Sequence, residues 1–488
     1  MNQAGAPSPS LDPEDWKRFR AAAHRALDSM IDHVESIRER PAWTPAPDDV
    51  RAQFRAPLPR LGRPFEAVLE DFDKNIKPYS TGNGHPGFMG WVHGAGTPIG
   101  MVAEMLAAGL NANCGGRNHI GIDVERQITL WMAEALGFPE TSAGLFVTGT
   151  SIANFLGLLI ARNHRLGDDV RKTGLSAGDR LVAYASQAAH GCVSQALQLA
   201  GLGSDALRLV PCDASGAMRL NALERLWEAD RAAGFVPLIV VGAAGSVDIG
   251  AIDPLVQLAD FCAERGLWFH VDAAFGAMLA FSPKLRDRIR GIERADSVAF
   301  DFHKWAHVPY DAGFLLTRDA EAQRRAFASE RGYLTRAPSG LAAGDVWPCD
   351  LGPDLSRGFR ALKTWFTLTT LGTDRLGAAI EKNCGLAEHL ASHIRRSQAF
   401  QLSAPASLNI VCFSCKGADR DAQNRSIVEA LHNSGRWAPS ITMLDGVATI
   451  RCAIVNHRTS AADIDAFFGD VERIAGALTP DLSAASSE

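Results

Sequence analysis

Lys304 stands in Phe302-His303-Lys304-Trp305, after the apolar run Ser297-Val298-Ala299-Phe300. Asp272 lies thirty-two positions upstream, in His270-Val271-Asp272-Ala273-Ala274. A lysine delivered by a buried strand, with a carboxylate ending an earlier strand, suits an aldehyde cofactor of the pyridoxal 5′-phosphate (PLP) type. The amine forms a Schiff base with the aldehyde, and the carboxylate pairs with the protonated pyridine nitrogen. Taken alone, Lys304 is more simply a solvated lysine at a strand end.

Two further segments accompany this pair. Thr148-Gly149-Thr150-Ser151 follows the apolar run 145–147 and opens a helix whose apolar positions are Ile152, Phe155, Leu156 and Leu159. Backbone N–H groups, hydroxyls and the positive end of a helix dipole favour a phosphate dianion, which makes Gly149, Thr150 and Ser151 candidate ligands. Plain helix capping by Ser or Thr explains the same residues. His190, just past the predicted strand 181–184, can stack on a pyridine ring and orient a substrate carboxylate. A structural histidine is the alternative there.

The elements that must position these groups follow from periodicity. Asp12, Pro13, Glu14 and Asp15 predict a helix start, with Asp12 as cap and Pro13 in the first turn. Trp16, Phe19, Ala23, Leu27, Met30, Val34 and Ile37 then form one apolar stripe, which a partner subunit could cover. Residues 1–11 read as disordered, and 41–59 as a proline-rich linker. Over 84–375 strands at 181–184, 238–241, 267–271, 298–302 and 314–317 alternate with helices such as 253–265. That alternation predicts a mostly parallel sheet with its site at the strand ends. Helices at 360–371 and 376–396, strands at 408–414 and 447–455, and a last helix at 461–478 complete the chain. The expected division is an N-terminal helical arm and linker (1–83), a large α/β domain (84–375) and a small α+β domain (376–488).

Composition narrows the class. The chain has 488 residues, 47% hydrophobic, and a net charge of −6 with mixed signs, which supports a large core and argues against a nucleic-acid partner. No apolar stretch has membrane-spanning length and the N-terminus lacks signal-peptide character, so a cytoplasmic protein without a membrane partner is expected. Nine cysteines are scattered, and only Cys412 and Cys415 form a Cys-x-x-Cys. Without a second ligand pair they read as buried thiols, and no metal site is expected.

The order of phosphate turn, histidine, aspartate and lysine resembles that of the group II PLP-dependent decarboxylases, which act on aromatic amino acids, tryptophan, histidine and glutamate. Similar segments run from Gly84-His85-Pro86-Gly87-Phe88-Met89-Gly90 to Arg451-Cys452-Ala453-Ile454-Val455-Asn456-His457. They include His303-Lys304-Trp305, Val308-Pro309-Tyr310-Asp311 and Phe359-Arg360-Ala361-Leu362-Lys363-Thr364-Trp365-Phe366. The resemblance implies the fold-type I architecture, with a seven-stranded type of sheet, and a homodimer with active sites at the subunit interface. It implies that Lys304 holds PLP, Asp272 keeps its ring nitrogen protonated, and His190 stacks on the ring. Gly149, Thr150, Ser151 and His303 surround the phosphate, and Ala274 packs against the ring. Tyr333, one of four tyrosines, matches a mobile-loop tyrosine that reprotonates the substrate carbon after CO₂ leaves. Tyrosine there favours simple decarboxylation over the aldehyde-forming route. Arg331 and Arg336 flank it, and 338–344 supplies small residues. Trp91 and Val92 fall where aromatic-specific relatives contact the substrate, whereas Arg117 or His119 could pair with an acidic side chain. The expected reaction is release of CO₂ and a primary amine from an L-amino acid, with an aromatic substrate preferred.

Overall fold

The computed structural model describes residues 10–176, 178–329, 335–344 and 346–478. Eleven strands occur among the described residues, in two sheets. The larger sheet contains β1 (Ala143–Val147), β2 (Leu181–Ser186), β3 (Leu207–Val210), β4 (Val236–Ala243), β5 (Trp268–Asp272), β6 (Ser297–Asp301) and β7 (Gly313–Thr317). Their order is β1-β7-β6-β5-β4-β2-β3, with β7 antiparallel to both neighbours and the remaining pairings parallel. Every residue of β1, β2, β6 and β7 is buried. Helices cover both faces of such a sheet, so its strands read as continuous apolar runs rather than alternating ones. The fold is the α/β arrangement expected of fold type I.

The smaller sheet is antiparallel, in the order β10-β11-β9-β8, and contains β8 (Phe400–Leu402), β9 (Ile410–Cys415), β10 (Ser440–Leu444) and β11 (Val447–Ala453). Its own core includes Phe400, Phe413, Ile427, Ile450, Phe467 and Phe468. All nine cysteines are free, and Cys412 and Cys415 are buried in β9.

Several expectations need correction. The first helix spans Trp16–Glu35, and its cap is Asp15, whose carboxylate accepts from the Arg18 amide at 2.9 Å. Asp12 and Pro13 precede it. The linker at 41–59 contains a short helix, Asp48–Gln53. The two helices expected at 360–371 and 376–396 are borne out: the span Arg360–Arg396 is two helices that meet at a kink at Gly372, where φ is 71°. The strand expected from residue 408 begins at Ile410, because Leu408 adopts φ 52°. β3, β8 and β10 were not among the strands expected. Of the segment expected to be disordered, only Ser10 and Leu11 lie within the described residues.

The strand ends set up the site. Residues 148–151 follow β1, 187–192 follow β2, 273–275 follow β5 and 302–304 follow β6, all at the carboxyl ends of strands that run in the same direction. A buried ion pair braces this edge. Arg357 meets Glu125 at 2.7 and 3.0 Å and donates to the carbonyls of Cys114 and Phe146, while Glu125 accepts the Phe146 amide.

Candidate active site

A cavity of about 370 Å³ gathers Gly149, Thr150, Ser151, His190, Asp272, Ala274, His303 and Lys304. It also takes in Trp91, Val92, His93, Phe275, Asp301, Tyr310 and Arg451. The wider groove between Trp131 and Asp374, about 760 Å³, contains none of these residues.

Lys304 follows β6 in a turn, and its Nζ lies 2.8 Å from Asp301 Oδ2. Burial alone would depress the ammonium, but the charge and hydrogen bond of Asp301, with Asp272 nearby, outweigh it and hold the Lys304 pKa above its ordinary value. Asp301 shows the reverse balance: burial opposes its charge, and the Lys304 ammonium, the neighbouring His303 and the Thr150 amide keep it below the usual carboxylate range. The chain passes close behind this turn at Gly94, where a Cβ would lie 2.2 Å from the His303 carbonyl oxygen, so only glycine fits.

Asp272 sits at the end of β5. Burial raises its pKa, against the opposing influence of Lys304, Asn154, the Ala274 amide and His190. Its Oδ2 accepts from Asn154 Nδ2 at 2.8 Å, and its Oδ1 from the Ala274 amide at 3.1 Å. Behind it runs a buried chain of fixed polarity. Ser297 Oγ accepts the Trp268 indole N–H at 2.8 Å, so its own proton goes to His270 Nδ1 at 2.7 Å. His270 Nε2–H then donates to Asn154 Oδ1 at 2.8 Å, which turns the Asn154 amide nitrogen towards Asp272. Burial pushes His270 down to about 3, which keeps it neutral, as this polarity requires. Gly157 makes room for the ring: a Cβ there would lie 2.9 Å from it.

The phosphate turn differs from expectation in one respect. The Thr150 amide at the helix start already donates to Asp301 Oδ1 at 2.7 Å. The Thr150 hydroxyl is buried without a partner, an acceptor and donor awaiting an anion. His303 Nδ1 accepts the Ala312 amide at 3.0 Å, which leaves its Nε2 carrying the proton beside Gly149. A buried hydroxyl, an imidazole N–H and the start of the Thr150–Leu166 helix fit a phosphate group, while Lys304 and Asp272 fit an aldehyde and a pyridine nitrogen.

His190 is exposed at the cavity wall, with Nδ1 accepting the Cys192 amide at 3.1 Å. Arg117 and His119 do not line the cavity. Arg117 lies over the Trp347 ring at 4.8 Å, and His119 caps the Ile120–Leu136 helix by accepting from the Gly121 amide. Arg336 pairs with Asp350 and covers the same Trp347 ring. Tyr333 and Arg331 lie outside the described residues. Sequence reasoning missed His93, Asn154, His270 and Asp301. His93 is packed against Phe88, Trp91 and Tyr310, with centroid distances of 5.8, 5.7 and 6.0 Å.

The model of the pyridoxal-dependent decarboxylase conserved domain matches residues 47–416, and the chain belongs to that family. The chain is 29% identical over 462 residues to an aromatic-L-amino-acid decarboxylase of Bacillus atrophaeus, covering 92% of this chain and 93% of the relative. It is 27% identical to a phenylacetaldehyde synthase of Arabidopsis thaliana, covering 91% and 93%. The structure of Catharanthus roseus tryptophan decarboxylase in complex with L-tryptophan superimposes with a TM-score of 0.86 at 25% identity, covering 96% and 100%. The protein is an amino-acid decarboxylase whose cofactor is PLP.

Proposed function

We propose that this enzyme decarboxylates an aromatic L-amino acid to the primary amine, with Lys304 as the lysine that binds PLP. The observation that carries the substrate class is the fate of the cations in the cavity. Among its described lining residues these are Lys304 and Arg451. Lys304 pairs with Asp301. Arg451 donates to the carbonyls of Gly90, Val247 and Asp248 at 2.8, 2.5 and 3.0 Å. Neither is left for an acidic side chain, while Trp91, Val92, Phe275 and Tyr310 offer apolar wall.

Bound here, PLP supplies an electron sink for the pair left by departing carboxylate. The chain's own residues do the rest. Lys304 supplies the amine, and its ion pair with Asp301 must open before it can act as a nucleophile. Asp272, oriented by Asn154, holds negative charge where the pyridine nitrogen needs a counter-ion. His190 would stack on the pyridine ring, Ala274 would leave room for it, and Gly149, Thr150, Ser151 and His303 would hold the phosphate. Tyr333 returns a proton to the substrate carbon.

The reading includes a homodimer with its active sites at the interface. In the single chain the arm leaves Trp16 58% and Phe54 63% exposed, and Ile120 is 74% exposed, a cost that a second copy would remove. No described helix is long and apolar enough to cross a membrane. The likeness to an aldehyde synthase supports a second reading, oxidative decarboxylation with ammonia and peroxide as products. A screen of the twenty amino acids for CO₂, with amine and peroxide measured together, separates the two. Aromatic substrates giving one amine per CO₂ are expected. Preferred turnover of glutamate or aspartate would overturn the substrate class, and stoichiometric peroxide the reaction.

A further inference from the structure

His389 and His393 lie one turn apart on the Arg360–Arg396 helix and so share a face. The last helix, Ala461–Leu478, brings Asp465 against them. His389 Nε2 and His393 Nε2 stand 2.7 and 2.8 Å from the same Asp465 Oδ1, and 3.4 Å from each other. In tetrahedral coordination with bonds of about 2.0–2.1 Å, donor atoms lie roughly 3.3–3.4 Å apart. The imidazole pair already has that separation, and the half-exposed carboxylate has only to withdraw by a fraction of an ångström. The rings are seated as well: His393 stacks on Phe468 at 5.6 Å and 24°, and meets His389 edge-on at 4.8 Å.

We propose that His389, His393 and Asp465 bind a borderline divalent transition-metal ion of the zinc or nickel type, which staples the long helix to the last one. Two neutral imidazoles and a carboxylate are a donor set such ions accept, and the exposed side leaves a position for water. Binding requires each Nε2 to give up the proton it now donates to Asp465. His393 Nδ1, which accepts from Arg396 at 3.3 Å, must then carry the proton instead. Arg396 is exposed and free to swing away, but its charge and its N–H both oppose the metal. The site escaped the sequence because its third ligand is 72 residues beyond His393. None of its residues lines the Lys304 cavity, so it stands apart from the decarboxylase reading.

Calorimetric titration of the untagged holoenzyme with Ni²⁺ and with Zn²⁺ tests the proposal. One ion per chain is expected, with a rise in melting temperature. His389→Asn, His393→Asn and Asp465→Asn should each weaken binding by roughly tenfold or more, whereas Arg396→Ala should tighten it. The free thiols can also take zinc, so the difference between the parent and the His389→Asn/His393→Asn double variant decides. Saturable binding unchanged in the double variant, or no saturable binding of either ion by the parent, overturns the site and leaves a hydrogen-bonded pair of helices. If the double variant melts early, the Arg396→Ala result decides in its place: tighter Ni²⁺ binding supports the site, and unchanged or weaker binding refutes it.

Discussion

Asn154→Leu perturbs Asp272, the carboxylate proposed to face the cofactor, from a position outside the cavity lining. The substitution is close to isosteric, but it removes the 2.8 Å donor to Asp272 and the acceptor of His270 Nε2–H. A hydrogen bond to a charged group contributes about 1.5–3 kcal/mol, and an orphaned buried donor costs about 1–3 kcal/mol. Burying leucine returns about 1–2 kcal/mol, so net destabilisation of roughly 2–4 kcal/mol is expected. The same lost bond stabilised the charged form of Asp272, so its pKa, already raised by burial, should rise further. Retention of PLP should therefore fall off on the acid side, with its midpoint shifted to higher pH. Urea unfolding gives the first quantity, and absorbance titration of bound cofactor across pH gives the second. Stability within about 0.5 kcal/mol of the parent, with an unshifted cofactor profile, would refute the orienting chain.

Four more expectations can be checked in the same preparations. Gly157→Ala presses a methyl group on the His270 ring and should cost about 1–3 kcal/mol in urea unfolding, with a weaker version of the same cofactor shift. Arg357→Met strands the buried Glu125 carboxylate and should lose about 3–5 kcal/mol in thermal or urea melts. His457, pushed down to about 4 chiefly by burial, takes up its proton at a higher pH when unfolded than when folded. Its contribution is complete above the unfolded value near 6.5 and is lost as pH falls towards 4. His457→Asn should flatten that loss by up to about 1.4 kcal/mol per pH unit, and parallel pH–stability curves would contradict the assignment. His93→Ala opens the aromatic wall and should raise KM for aromatic substrates by about tenfold or more with a smaller change in kcat, because a ring contact of this kind contributes about 0.5–1.5 kcal/mol beyond its buried area.

The proposed roles of Lys304 and Asp272 rest on local signals: a buried apolar run with the candidate residue at or just past its end. The Thr148–Ser151 turn was legible for the same reason, from a strand running into a helix start. Asn154 and His270 carry no such signal. Asn154 is one polar residue in an amphipathic helix, and its meaning comes from Asp272, more than a hundred residues away. Asp301 precedes the lysine by one turn, yet nothing local shows that its carboxylate takes the Thr150 amide. Arg117 and His119 were open alternatives, with Arg117 reading equally as a surface or interface residue; in the single chain Arg117 packs on Trp347 and His119 caps a helix. The small β8 and β10 strands take their identity from pairing with β9 and β11 rather than from their own pattern.

The most direct test is chemical: hold the enzyme with PLP, reduce it with borohydride, digest it and sequence the labelled peptide by mass spectrometry. The account predicts one phosphopyridoxyl group per chain, on the lysine of Phe302-His303-Lys304-Trp305, and none in Lys304→Ala. A label on another lysine, or undiminished labelling and turnover in that variant, would contradict it.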